Sequence, residues 1–197
     1  MKATTCTNCP HRLHCLILCG EPRRLHHQFK DCFYEINKIF KYNNSTLAYD
    51  VVRNSLSKSR WRAAEPIILK NAYATFYYTK EVLKERWAEG ENTILQSQDS
   101  YYVYCYAREV IEGRWPEGEK VLLAHRQAQY IYYYIGDIMR FTRWPEAEDI
   151  IKTDATLTSK YAVRVLKERW LEAEKIIAED WSAKMIYNKA FGEIFVL

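Results

Sequence analysis

Apolar side chains in this chain recur at helical spacing, and the pattern then repeats about every 27 residues. Tyr78, Tyr106, Tyr134 and Tyr161 each open a short apolar face. Four and five residues later come Val82-Leu83, Val110-Ile111, Ile138-Met139 and Val165-Leu166. Thr79, Ala107 and Ala162 keep the position after the Tyr small in three of these. Residues at 0, +4 and +5 lie on one side of a helix, so each stretch predicts an amphipathic helix. A second apolar pair closes each stretch: Ile67-Ile68, Thr93-Ile94, Val121-Leu122, Ile150-Ile151 and Ile176-Ile177.

Between the two apolar clusters stands Arg-Trp: Arg60-Trp61, Arg86-Trp87, Arg114-Trp115, Arg143-Trp144 and Arg169-Trp170. A Glu follows each Trp by four residues, at Glu65, Glu91, Glu119, Glu148 and Glu174. Pro116 and Pro145 directly after the Trp suit a first helical turn, and the acids that follow complement the positive end of a helix dipole. Each stretch therefore predicts helix A of about 13 residues, a tight turn at Arg-Trp, and helix B of about 9. Two helices this short cannot bury an apolar face alone, but stacked neighbours can. The expected fold is all-α: an α-solenoid of five two-helix repeats over 45–71, 72–98, 99–125, 126–154 and 155–180, with a closing helix over 181–197. Because Arg, Trp and Glu recur in every unit, they are expected to serve architecture. The Arg is expected to bridge the Glu of its own or a neighbouring repeat; the competing reading is a ladder of ligand-binding arginines.

The 197 residues are 48% hydrophobic and 27% charged, the balance of a globular chain. No run approaches the roughly 20 apolar residues of a membrane span. Leu16-Ile17-Leu18 is too brief for a signal-peptide core, so a cytoplasmic protein is expected. The net charge of +4 falls wholly within residues 1–44, while residues 45–197 balance. A polyanion would therefore be met by the first segment, and Arg12, Arg23, Arg24 and Lys30 are the nucleic-acid candidates.

The same segment, 1–44, carries Cys6, Cys9, Cys15 and Cys19 within fourteen residues, with His11 and His14 among them. This density in a cytosolic chain points to a metal more than to disulfides. Zinc held by the four thiolates is the expected cofactor, with His11 or His14 as alternative ligands. An iron–sulfur cluster is the alternative. Either would help fold a small module with little core of its own.

Charged positions two and three after each Tyr, as in Lys80-Glu81, Arg108-Glu109 and Asp137, mark the outward side of helix A. Four residues earlier stand Phe76, Tyr77, Tyr104, Tyr132 and Tyr133, an aromatic strip suited to a protein partner. Packing between helices is the competing role for that strip. Phosphate-loop, zinc-protease and serine-hydrolase motifs do not occur, so a non-enzymatic interaction protein is expected. The alternatives are a nucleic-acid adaptor and an iron–sulfur redox protein.

The unit Tyr106-Ala107-Arg108-Glu109-Val110-Ile111-Glu112-Gly113-Arg114-Trp115-Pro116-Glu117-Gly118-Glu119 resembles short helical repeats in uncharacterised proteins of tailed phages and related environmental sequences. That resemblance spans 45–180 and implies a viral origin, hence a place in a host cytoplasm and action on a host factor; it implies no activity. The overall plan also resembles leucine-rich-repeat-variant proteins, which join a cysteine-held iron–sulfur cluster to short two-helix repeats. Their units are shorter and lack the Arg-Trp turn.

Overall fold

A computed structural model describes residues 38–55 and 59–196. Among them every regular element is helical and no strand occurs. No helix of the described residues is long and apolar enough to cross a membrane. The chain forms two compact units, Met1–Ser97 and Gln98–Leu197.

In the first unit, α1 (Ser45–Ser55) starts behind Asn44, whose Oδ1 accepts from the Leu47 N–H at 3.0 Å. A 3-10 turn, Arg62–Ala64, leads into the four-residue α2 (Glu65–Ile68). Next, α3 (Ala72–Tyr78) is capped by Asn71 accepting from the Ala74 N–H, and α4 (Ala88–Ser97) closes the unit. Tyr49, Val52, Trp61, Ala64, Ile68 and Tyr78 form its buried centre. Polar side chains in this core spend their hydroxyls on helix ends: Ser45 Oγ donates to the Ile67 carbonyl at 2.6 Å and Thr75 Oγ1 to the Ile68 carbonyl at 3.0 Å. Such bonds satisfy the last carbonyls of a helix too short to have many internal partners.

The second unit runs α5 (Ser100–Tyr106), α6 (Pro116–His125), α7 (Ala128–Asp137), α8 (Pro145–Ile151), α9 (Ala155–Tyr161), α10 (Glu174–Ile177) and α11 (Trp181–Phe191). Asp99, Asp154 and Asp180 cap α5, α9 and α11 through backbone N–H groups two or three residues on. The A-type helices are not α-helical throughout. After α3, α5 and α9 the helix widens into π-turns over Thr79–Leu83, Ala107–Ile111 and Ala162–Leu166. Each ends at a left-handed residue, Lys84, Glu112 or Lys167, with φ of 56°, 55° and 59°. The B-type helices differ in length, and the four-residue α2 and α10 are each led in by a 3-10 turn. Those at Ala88–Ser97 and Pro116–His125 have ten residues, and α8 has seven.

One stretch departs from this plan. Its Tyr134 lies nine residues before Arg143, where the others have eight. The extra residue removes the π-turn, and the chain instead turns through two successive left-handed residues, Arg140 (φ 54°) and Phe141 (φ 58°). The Phe141 ring then covers Gly136, where an added Cβ would stand 3.3 Å from its Cζ.

Candidate interaction surface

The recurrent Arg, Trp and Glu make one repeated arrangement. In all five, the Arg Nε donates to an Oε1 of the Glu five residues on, at 2.7–2.8 Å, and the Nη2 reaches the other carboxylate oxygen. The bridge therefore lies within one stretch. The stretches are joined by the Tyr of the following helix. Its hydroxyl accepts from the Trp backbone N–H and donates to the same Glu. Trp61–Tyr78–Glu65, Trp115–Tyr134–Glu119, Trp144–Tyr161–Glu148 and Trp170–Tyr187–Glu174 are built this way. The N–H to hydroxyl distances are 2.7–3.0 Å.

The arginine side chains are about half exposed, so solvent screens the ion pair and it adds little by itself. Its effect is to hold the carboxylate in the orientation that a buried phenol needs. Burial, and the carboxylate beside it, push the Tyr161 hydroxyl up to about 12. Three positions after each Trp stands a small buried residue, Ala64, Gly90, Gly118, Ala147 or Ala173, and the Trp87 and Trp115 rings lie against the two glycines. At Gly118 a Cβ would stand 2.6 Å from Trp115 Cε3, so the ring lies flat on the backbone there. Every recurrent arginine is thus committed to a carboxylate in this architecture.

The tyrosines of α5 and α7 make a different surface. The Tyr104 ring lies 6.4 Å from Tyr130, stacked, and 5.9 Å from Tyr133; Tyr101 lies 5.9 Å from Tyr130. Tyr101 is 39% and Tyr133 41% exposed, so the cluster presents two rings outward. Tyr104 anchors it. Its hydroxyl donates to Asp137 and accepts from Arg108 Nη1 at 2.6 Å, while the guanidinium stands 5.0 Å over its ring. Burial, then Asp137, push the Tyr104 hydroxyl up to about 12. Arg108 is paired as well with Glu109. Beside this lies a cleft of ≈ 290 Å³ lined by Arg108, Glu112, Asp137, Ile138 and Arg140.

No family model, no curated protein and no solved structure matches the chain.

Of the five aromatic positions read from the sequence, Tyr133 is exposed and Tyr77 half-buried; Phe76 is only 1% exposed, and Tyr104 and Tyr132 are buried. In the first unit Tyr77 packs on Tyr73 at 4.8 Å and on Tyr49 at 5.8 Å, with Lys80 near the rings of Phe76 and Tyr77. Tyr101 and Tyr130 escaped the sequence reading. Each precedes a strip residue by three, Tyr104 and Tyr133, which places it on the same helical face. Cys6, Cys9, Cys15, Cys19, His11, His14, Arg12, Arg23, Arg24 and Lys30 lie outside the described residues. Among those described, no group of three or more His, Cys, Asp or Glu side chains is placed to hold a metal ion.

Proposed function

We propose that this chain is a non-enzymatic interaction protein: an α-solenoid of five two-helix repeats closed by helix 181–197, which binds a protein partner through the tyrosine surface of α5 and α7. The observation that carries the reading is the outward pair Tyr101 and Tyr133 on a cluster held rigid by Tyr104, Asp137 and Arg108. Tyrosines with little rotamer freedom to lose, flanked by fixed charges of both signs, suit protein contacts. Residues 98–197 hold 14 basic and 16 acidic residues, which disfavours phosphate backbones as the ligand of this face.

A photo-crosslinking residue placed at Tyr133 is expected to capture a discrete partner from native cytosol, and one placed at Glu172 to capture none. Tyr101→Ala with Tyr133→Ala is expected to weaken that capture at least about tenfold, with far-UV circular dichroism unchanged. Equal capture from both positions, or capture untouched by the double substitution, would refute the reading.

The segment 1–44 is proposed as a zinc module held by Cys6, Cys9, Cys15 and Cys19, supported by the ligand types and their spacing. Metal analysis is expected to find one zinc per chain, lost in Cys6→Ser with Cys9→Ser. A brown protein absorbing near about 400 nm would replace zinc by an iron–sulfur cluster. The second functional reading, a nucleic-acid adaptor, is supported by the concentration of the net positive charge in residues 1–44. Salt-sensitive retention on heparin, abolished by Arg23→Ala with Arg24→Ala, would favour it over the protein-binding reading.

A further inference from the structure

In the second unit, the fifth residue of an A-type helix is covered by the A-type helix that follows. Tyr104, fifth in α5, packs on Tyr130 and Tyr133 of α7. Ser159, fifth in α9, donates its hydroxyl to the Ala183 carbonyl of α11 at 2.9 Å. Both are buried, as is Tyr132 at the same place in α7. The corresponding residue of α11 is Met185, and it is 42% exposed. The first residue also breaks the pattern. Ser100, Ala128 and Ala155 are small, whereas α11 begins with Trp181, 61% exposed. Trp181 and Met185 lie one helical turn apart on one stripe.

The described residues cover part of this helix and leave the stripe exposed. Asn188 Oδ1 accepts from the N–H groups of Ile194 and Phe195 at 3.1 and 3.0 Å, and the Phe195 ring lies 5.7 Å from Tyr187. The tail thus packs on the Tyr187–Asn188 side of α11. A helix face that elsewhere in the unit receives another helix is here offered to solvent, with two large apolar side chains on it. A bare apolar stripe of this kind marks an interaction site.

We propose that this stripe packs against the same stripe of a second copy, antiparallel, about a two-fold axis passing near Met185. The charges of α11 select this occupant and this direction. Glu179 and Asp180 stand at its N-terminal end and Lys189 in its last turn. Lys189 lies four residues after Met185 and Trp181 four before. A two-fold axis at Met185 therefore sets Trp181 opposite Lys189 of the partner subunit, with Glu179 beside that ammonium. The same contact is made twice, as an isologous interface requires. The ring takes the ammonium on its face, the carboxylate neutralises it, and the antiparallel dipoles attract. A parallel pairing would oppose Glu179 to its own copy.

The test is sedimentation velocity of the full chain from about 10 to 500 µM, the range in which a small helix-on-helix interface registers. The expected result is a reversible monomer–dimer equilibrium. Trp181→Glu is expected to abolish the dimer with circular dichroism unchanged. Lys189→Glu, on an exposed position that the fold does not use, is expected to weaken it about tenfold, and adding Glu179→Lys to restore it to within about threefold. A wild-type chain that stays monomeric throughout overturns the proposal. So does association that survives Trp181→Glu, that is not restored by the charge swap, or that grows past the dimer without closing.

Discussion

Replacing Trp115 by Ala is expected to cost about 3–5 kcal/mol of folding free energy, the range for emptying an aromatic site in a packed interior. The ring is almost fully buried, lies 5.2 Å from Tyr106, and presses directly on the backbone at Gly118. The backbone N–H of Trp115 donates to Tyr134, so a shift of the turn would also unseat the next helix. Trp181→Ala is the matched control. That ring is largely exposed, and its removal is expected to change stability by less than about 0.5 kcal/mol. Urea unfolding followed by far-UV circular dichroism measures both. Equal effects would show that the Arg-Trp tryptophans are not the packing centres described above.

The all-helical architecture was legible because periodicity and spacing are local signals. The structure adds what spacing cannot carry. Arg60 and Glu65 are visible as a recurring pair in the sequence, which leaves a bridge within one repeat or to its neighbour equally open; the structure makes it within one. The part played by Tyr78 is not visible there. It depends on a hydroxyl from the next helix reaching a turn seventeen residues earlier in the chain. The N-caps Asn71, Asp99, Asp154 and Asp180 were legible in principle, since a short polar residue stands just before every A-type helix except α7, which follows Gln127, yet each looks like an ordinary loop residue on its own.

The misplacement of the aromatic strip has a definite cause. Counting back four residues from Lys80 or Arg108 does find the same helical face: Lys80 lies near the Phe76 ring and Arg108 over the Tyr104 ring. The count cannot show what covers that face. Lys80 and Arg108 are exposed, but Phe76 and Tyr104 are buried, and Tyr104 packs on Tyr130 and Tyr133 of the next A-type helix. On α7 Asp137 and Tyr133 are both exposed. The extra residue that makes Tyr134 lie nine before Arg143 was visible as a spacing change, but not its consequence, a turn through the left-handed Arg140 and Phe141.

Neutralising a single carboxylate, by Glu119→Gln, is expected to cost about 2 kcal/mol near neutral pH, the scale of hydrogen bonds to a charged group. Glu119 is buried and accepts two bonds from Arg114 and one from the Tyr134 hydroxyl. Burial alone would raise its pKa, but those bonds outweigh it and hold the carboxyl below its ordinary value of 4.5. Glu174 is lowered too, first by Arg169. A carboxyl depressed in the folded state contributes stability that is fully present above the unfolded pKa and is lost as pH falls through the folded one. The gap between wild type and Glu119→Gln is therefore expected to be constant above about pH 5 and to close below 4.5. The tyrosine side of this repeated arrangement, seen at Tyr161 beside Glu148, fails at the other end of the scale. Tyr161 is raised from 10.0 to about 12, so its contribution is complete below pH 10 and declines from there upward. Tyr161→Phe is expected to flatten that alkaline decline while leaving the acid limb intact. Melting temperatures recorded across the pH range decide the matter: a Glu119→Gln deficit that persists unchanged at about pH 3 would mean that shape, and not charge, is what the carboxylate supplies.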